Sequence, residues 1–97
     1  DTHFGEIIYS NGAVYIGDLR EGKPYGFGIM VYKNRDAYIG TFENMLAEGQ
    51  GAYVYFNSGD CYYGQWHNNK LNGRVTIVYG KEGRTFQEMF KDGDFVR

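Results

Sequence analysis

YIGDL at residues 15–19 decides the fold, because its pattern of a ring, a glycine and a large apolar residue returns along the chain. It recurs as YIGTF at 38–42, as YYGQW at 62–66 and, altered, as FQEMF at 86–90. The step from Tyr15 to Tyr38 is 23 residues, and the step from Tyr38 to Tyr62 is 24. Repetition at such a period predicts a stack of one supersecondary unit.

A second stretch follows the first in each unit. Its copies begin with a glycine and end with a tyrosine, as GFGIMVY at 26–32, GQGAYVY at 49–55 and GRVTIVY at 73–79. Polar turns such as Arg20–Lys23 and Lys33–Asp36 separate the stretches, and this pattern predicts two short strands in each unit. We therefore expect an all-β fold, an elongated single-layer antiparallel sheet of consecutive β-hairpins that is twisted or curved.

The units also set the expected domain organisation, which is one array over residues 1–97. Residues 1–14 are the tail of a preceding repeat, residues 15–37, 38–61 and 62–85 are repeats, and residues 86–97 are a degenerate half repeat. Repeat arrays need polar caps at their ends, and none is evident at the N-terminus. We therefore expect the array to be part of a longer protein.

Composition excludes several classes of protein. A net charge of -2 over 97 residues gives no basic footprint for nucleic acid. The single cysteine, Cys61, cannot form an internal disulfide, which favours a reducing compartment. No stretch approaches the roughly 20 apolar residues of a spanning helix. We expect a soluble cytoplasmic chain without a nucleic-acid partner.

Strand alternation divides the side chains between two faces. One face carries the repeated rings, and a cross-strand ring can lie over the bare backbone of a glycine. The structural glycines expected in this role are Gly17, Gly28, Gly40, Gly51 and Gly64. The opposite face is also apolar, with Ile16, Ile39 and Tyr63. A single sheet cannot bury both faces, so we expect a second layer from its own curvature, another segment, a second copy or a ligand.

The pattern Tyr-x-Gly-x-aromatic, a turn, Gly-x-Gly and a closing Tyr before an Asn/Asp-Gly turn resembles the MORN (membrane occupation and recognition nexus) repeat over almost the whole chain. The resemblance implies a non-catalytic protein-interaction or scaffolding module in a larger assembly, with a cytoskeletal or ciliary setting. Its partner would be a peptide or helix in a groove, or another MORN array. The alternatives are a membrane- or phosphoinositide-associating module, and accessory repeats of an enzyme encoded elsewhere in the chain.

Two sets of residues are candidates for binding. The candidate partner site is the row of rings and large apolar residues on the first face. This row consists of Tyr15, Leu19, Tyr38, Phe42, Tyr62 and Trp66. Basic residues at equivalent turns are weaker candidates for lipid headgroups. These are Lys33, Arg35, Lys81 and Arg84.

The remaining reactive residue types suggest no catalysis, no metal and no cofactor. His3 and His67 lie in different repeats, without further ligands at metal-binding spacing. Cys61 has Asp60 beside it rather than a base that could activate the thiol. The sequence therefore predicts a chain that is not an enzyme.

The C-terminal part departs from the repeat at two positions. Val75 replaces the second glycine of Gly-x-Gly, and Glu88 takes the glycine place between Phe86 and Phe90. Glu88 is thus expected to point a charge into the aromatic row. An inward charge hinders strand addition at a sheet edge, so the array either terminates here or has drifted in sequence.

Overall fold

The computed structural model describes residues 2–96, which form nine β-strands and no helix. The strands are β1 (Thr2–Ile8), β2 (Val14–Arg20), β3 (Lys23–Val31), β4 (Ala37–Glu43), β5 (Leu46–Val54), β6 (Cys61–His67), β7 (Lys70–Tyr79), β8 (Arg84–Lys91) and β9 (Asp94–Val96). They form one antiparallel sheet in which each strand pairs with the next one in sequence. The predicted all-β sheet of consecutive hairpins is confirmed.

The connections between strands lie at the two ends of the strands, which we call the tight-turn edge and the long-loop edge. On one edge, two-residue turns with left-handed backbone join β2 to β3, β4 to β5, β6 to β7 and β8 to β9. The turn residues are Glu21-Gly22, Asn44-Met45, Asn68-Asn69 and Asp92-Gly93. Such turns match the right-handed twist of the strands they connect. Longer loops at residues 9–13, 32–36, 55–60 and 80–83 lie on the other edge.

A β-bulge recurs in three of the hairpins and explains the glycine that begins the second stretch of each unit. Gly17 pairs with Gly28 but Leu19 pairs with Pro24, so residues 25–27 lie opposite Asp18 alone. The middle residue, Gly26, has a φ of 86°, which side chains rarely adopt. The same shift recurs around Gly49 and Gly73, whose φ angles are also positive.

One face of the sheet, here called the inner face, contains the core. The buried residues are Ala13, Tyr15, Leu19, Met30, Tyr38, Phe42, Ala47, Trp66, Leu71, Val75 and Ile77. The opposite or outer face leaves its side chains open, with Ile16 and Ile39 still 43% and 37% exposed. Within residues 2–96 no further element covers the inner face, and its large side chains bury one another across the strands. The source of the expected second layer stays a prediction.

In each of the first two hairpins, a tyrosine ring packs on a glycine of the following strand. The ring of Tyr15 lies across Gly28, where a Cβ would overlap the phenol, and its hydroxyl donates to the Asp18 carbonyl at 2.7 Å. Tyr38 lies across Gly51 in the same way and donates to the Thr41 carbonyl at 3.0 Å. Burial raises the pKa of Tyr15 to about 12, and burial also raises the pKa of Tyr38.

The third hairpin differs because Val75 pairs with Gly64 in place of a glycine. Val75 is fully buried. Tyr62, the counterpart of Tyr15, is only half-buried. Among the described residues, its hydroxyl does not donate to the carbonyl three residues later, as the hydroxyls of Tyr15 and Tyr38 do. The regular packing of ring on glycine thus stops at Val75.

Glu88 lies in β8, which is not the last strand of the sheet. The backbone of Glu88 pairs with Val75 of β7. Two residues further along β8, Phe90 pairs with Phe95 of β9. The charge therefore does not prevent a further strand from pairing with β8.

Candidate interaction surfaces

The six residues of the predicted aromatic row lie on the inner face. Tyr15, Leu19, Tyr38, Phe42 and Trp66 are buried there, and Tyr62 is half-buried. The rings of Tyr15 and Phe42 pack edge to face with centroids 5.2 Å apart, and Tyr38 and Trp66 do so at 5.3 Å. The indole Nε1 of Trp66 donates to the Gly51 carbonyl at 2.9 Å. These side chains pack the core, and their partner-binding role remains a prediction.

The four predicted lipid candidates lie in or beside the loops of the long-loop edge. The guanidinium of Arg35 lies over the ring of Phe56, 5.3 Å from its centroid. Arg84 lies over Phe86 at 5.1 Å and within 3.6 Å of the Glu82 carboxylate. The two arginines are thus engaged by their own chain, whereas no ion pair is recorded for Lys33 or Lys81 within the described residues. Lipid binding at this edge remains a prediction.

The outer face carries two adjacent apolar rows that run across the strands. Neighbours within each row are paired residues of neighbouring strands. The first row is Ile16, Ile29, Ile39, Ala52 and Tyr63, and the second is Val14, Val31, Ala37, Val54, Cys61 and Val78. We call these two rows the aliphatic stripe. Ile29, Val31 and Tyr63 are 38%, 40% and 51% exposed, so the stripe is open to solvent.

The aliphatic stripe has a polar border on the same face. Gln50 and Gln65 pair directly across β5 and β6, next to the pair formed by Ala52 and Tyr63 two residues away. Both glutamine side chains are exposed. The stripe is thus bordered by polar side chains at β5 and β6, whereas at β3 the exposed ring of Phe27, paired with Thr41, extends the apolar surface.

A second open feature lies on the inner face, at the C-terminal end. Residues of four strands surround a cavity of about 290 Å³. Its lining consists of Tyr62, Ile77, Tyr79, Glu88, Phe90 and Phe95. The ring of Phe90 packs against Tyr62 at 6.4 Å and against Phe95 at 5.8 Å between centroids. We call this cavity the C-terminal cup. The sequence showed that Glu88 would face the rings, but not that an open cavity would surround it.

An ion pair between His67 and Glu48 on the tight-turn edge was not predicted from the sequence. The Nδ1 atom of His67 lies 2.9 Å from the Glu48 carboxylate, which also accepts the Asn68 amide at 3.0 Å. The hydrogen bond with Glu48 raises the pKa of His67, and the same bond lowers the pKa of Glu48. The pair joins consecutive repeats, because Glu48 lies in the bulge of β5 and His67 ends β6.

A carboxylate clasp on the long-loop edge also joins consecutive repeats. Asp36, which is buried, accepts the Phe56 amide at 2.9 Å and the Tyr53 hydroxyl at 3.0 Å. Asp60 accepts the Gly80 amide at 2.9 Å in the equivalent place of the next repeat. Burial, followed by the hydrogen bond to Asp36, raises the pKa of Tyr53. These two carboxylates fix the loops of consecutive repeats to one another.

The reactive side chains do not assemble into a cluster. Burial raises the pKa of the Cys61 thiol, which lies in the aliphatic stripe. Over residues 2–96, no three His, Cys, Asp or Glu side chains come together in a way that could hold a metal ion. Within the same residues, no helix is long and apolar enough to cross a bilayer.

Comparison with known families agrees with the repeat geometry. The sequence profile of the MORN repeat matches residues 15–37, 38–59 and 62–74, which together make up more than half of the chain. The chain belongs to the MORN-repeat family. None of the curated proteins matches it. MORN repeats are in general a non-enzymatic module, consistent with protein interaction or membrane association.

The matched MORN segments stop before the C-terminal cup is complete. The third match ends at Arg74, immediately before Val75, while Glu88 and Phe90 lie beyond it. The aliphatic stripe, in contrast, lies mostly within the matched segments. The two surfaces therefore belong to different parts of the array, one within the regular MORN repeats and one where the pattern changes.

Proposed function

We propose that this MORN array is a non-catalytic protein-interaction module whose aliphatic stripe receives an apolar surface of a partner. The observation that supports the proposal is the stripe itself, two adjacent rows of apolar side chains left open on one face. Contiguous exposed apolar surface bounded by polar residues marks interaction sites in soluble proteins. The inner face is less suited to this role, because its rings are buried against one another.

The repeat gives the stripe a regular spacing that suits a scaffold. Ile16, Ile39 and Tyr63 lie on alternate strands, and such strands are about 10 Å apart in a sheet. β-branched side chains lose little freedom when they are covered, because their χ1 angle is already restricted. A partner that binds along the stripe thus meets a pre-ordered surface. On the family resemblance alone, we propose a cytoskeletal or ciliary assembly as its setting.

The test compares two lysine substitutions on the same face. Ile39→Lys places a charge in the middle of the stripe, and Gln50→Lys places one in the polar border as the matched control. The immobilised chains are used to capture proteins from a cell extract, with retained bands quantified and each variant first shown to fold by circular dichroism. We expect Ile39→Lys to reduce specific retention by at least about tenfold, since burying an unpaired charge costs more than the roughly 1.4 kcal/mol that a tenfold loss of affinity represents. Equal retention by all three chains would overturn the proposal.

A second copy of the array is one partner that this experiment can recognise. Sedimentation velocity of the wild-type chain would then show a dimer that Ile39→Lys dissociates and Gln50→Lys preserves. A monomer at all concentrations, together with stripe-dependent retention, indicates a different protein. Both results support an interaction module, and they differ only in the identity of the partner.

Association with anionic lipid is the second candidate. Lys33 and Lys81 favour it, because both lie in loops on the same edge of the sheet. Co-sedimentation with phosphatidylcholine vesicles, with and without phosphatidylserine and a phosphoinositide, tests it directly. Pelleting only with the anionic vesicles, lost on combining Lys33→Glu with Lys81→Glu, would favour the lipid function over the protein-interaction function.

A further inference from the structure

We propose that the C-terminal cup binds a basic side chain, a lysine or arginine, of a partner protein. The proposal does not depend on the aliphatic stripe, which lies on the other face. It rests on the aromatic lining of the cup, on its open volume of about 290 Å³ and on the carboxylate of Glu88 within it.

The cup arises from the two departures from the repeat pattern. In the first two hairpins a tyrosine ring fills the space above the paired glycines, as Tyr15 does above Gly28. Around Val75 and Glu88 neither strand offers a bare glycine on which a ring could lie. The ring of Tyr62, the counterpart of Tyr15 in β6, is instead half-buried and packs edge to face against Phe90 with centroids 6.4 Å apart. The space that a ring fills elsewhere is therefore left open beside a carboxylate.

Within the part of the chain that the structure describes, the charge in the cup has no counterion. Over residues 2–96, Glu88 forms no recorded hydrogen bond or ion pair, and it is the one charged residue in the lining. Arg84 lies on the same face of β8, but its guanidinium is held over Phe86 and near Glu82. A half-buried carboxylate without a partner is unfavourable, and a bound cation would give the Glu88 carboxylate a partner of opposite charge.

The rings select the same kind of ligand. The faces of Tyr62, Tyr79 and Phe90 offer negative quadrupole potential to a cation, in addition to apolar contact for its alkyl stem. A lysine or arginine also brings N–H donors, which the Glu88 carboxylate can accept as charge-assisted hydrogen bonds. A neutral apolar side chain would satisfy the rings and leave the carboxylate unpaired.

The test is a titration of the isotopically labelled chain with N-acetyl-lysine amide and N-acetyl-arginine amide, followed by NMR. N-acetyl-norleucine amide and N-acetyl-citrulline amide are the uncharged controls. We expect saturable shifts at Glu88, Phe90 and Tyr79 with the two cations, and no saturable shifts there with the neutral probes. A neutral probe that binds as tightly as its cationic counterpart would show a merely apolar cavity and overturn the proposal.

Variants distinguish the cup from the rest of the surface. Glu88→Gln keeps the shape and is expected to weaken cation binding about tenfold, while Glu43→Gln, which removes an exposed carboxylate at the end of β4, leaves it unchanged. Phe90→Leu removes a ring face and is expected to weaken binding about threefold. Arg97 lies outside the described residues, and the series is repeated with Arg97→Gln so that this basic group cannot compete. Undiminished binding by a folded Glu88→Gln chain would overturn the proposal.

Discussion

The ring of Tyr38 lies across the backbone of Gly51 on the neighbouring strand, so that a Cβ at this position would overlap the phenol. The same ring packs edge to face against Phe42 and Trp66, at 5.0 and 5.3 Å between centroids. The absence of a side chain at one position thus fixes the ring at another, and that ring organises the middle of the inner face. The array depends on this arrangement because no second layer covers the inner face within the described chain.

Gly51→Ala is therefore expected to destabilise the fold by about 3 kcal/mol, since the added methyl meets a ring that is packed on its other sides. Gly22→Ala is the control, because Gly22 has open space around it and a φ of 76°. That variant reports the cost of left-handed backbone alone, about 1 kcal/mol. Urea unfolding of both variants measures the difference, and equal losses would contradict the role of the Tyr38 ring.

The fold could be predicted because the same residue pattern returns in phase in each unit. Tyr15, Tyr38 and Tyr62 are in phase, and strand alternation then assigns the remaining side chains to a face. The bulges could not be predicted, since Gly26 and Gly28 look alike in sequence although one adopts a positive φ and the other lies under a ring. The recurring residues established the repeat, but this difference depends on the pairing of strands.

The candidate site was harder to predict, because the sequence showed two apolar faces but did not specify which of them is buried. The aromatic row was chosen as the binding face from residue type. In the structure, Tyr15 and Tyr38 are buried, whereas Ile29 and Val31 are open. Side chains as large as tyrosine and tryptophan cover an inner face that smaller ones would leave incomplete. Which face is buried thus depends on side-chain volume and sheet curvature, and alternation alone does not specify either.

Met45→Gly is expected to stabilise the chain by about 1 kcal/mol. Met45 occupies the second position of a tight turn with a φ of 70°, a place that glycine holds in the turns at Gly22 and Gly93. A left-handed conformation costs a non-glycine residue about 1–2 kcal/mol, and Asn-Gly is a preferred pair for this turn. Thermal unfolding measures the gain. Met45→Ala removes the side chain without relieving the backbone, so a similar gain in that control would contradict the explanation.

Asp36→Ala is expected to cost about 2–3 kcal/mol, because it leaves the Phe56 amide and the Tyr53 hydroxyl without their acceptor. Asp60→Ala is the matched control in the next repeat. The Asp60 carboxylate accepts one exposed amide, that of Gly80 in the following repeat, so its loss should cost less than about 1 kcal/mol. Chemical denaturation of the two variants measures both effects. If the two losses were equal, burial of the clasp at Asp36 would not be the cause.

The ion pair of His67 and Glu48 predicts how stability changes with pH. Its His67 contribution is fully present below the usual pKa of 6.5 and is lost as the pH rises through the raised pKa of the folded chain. The Glu48 contribution is present above the usual pKa of 4.5 and is lost as the pH falls through the lowered pKa. The pair therefore stabilises the fold between those two folded-state values. An NMR titration should place the pKa of His67 above 6.5 and return it towards 6.5 in Glu48→Gln. Glu43→Gln, which removes an exposed carboxylate at the end of β4, should leave it unchanged, and a His67 pKa that is insensitive to Glu48→Gln would contradict the pairing.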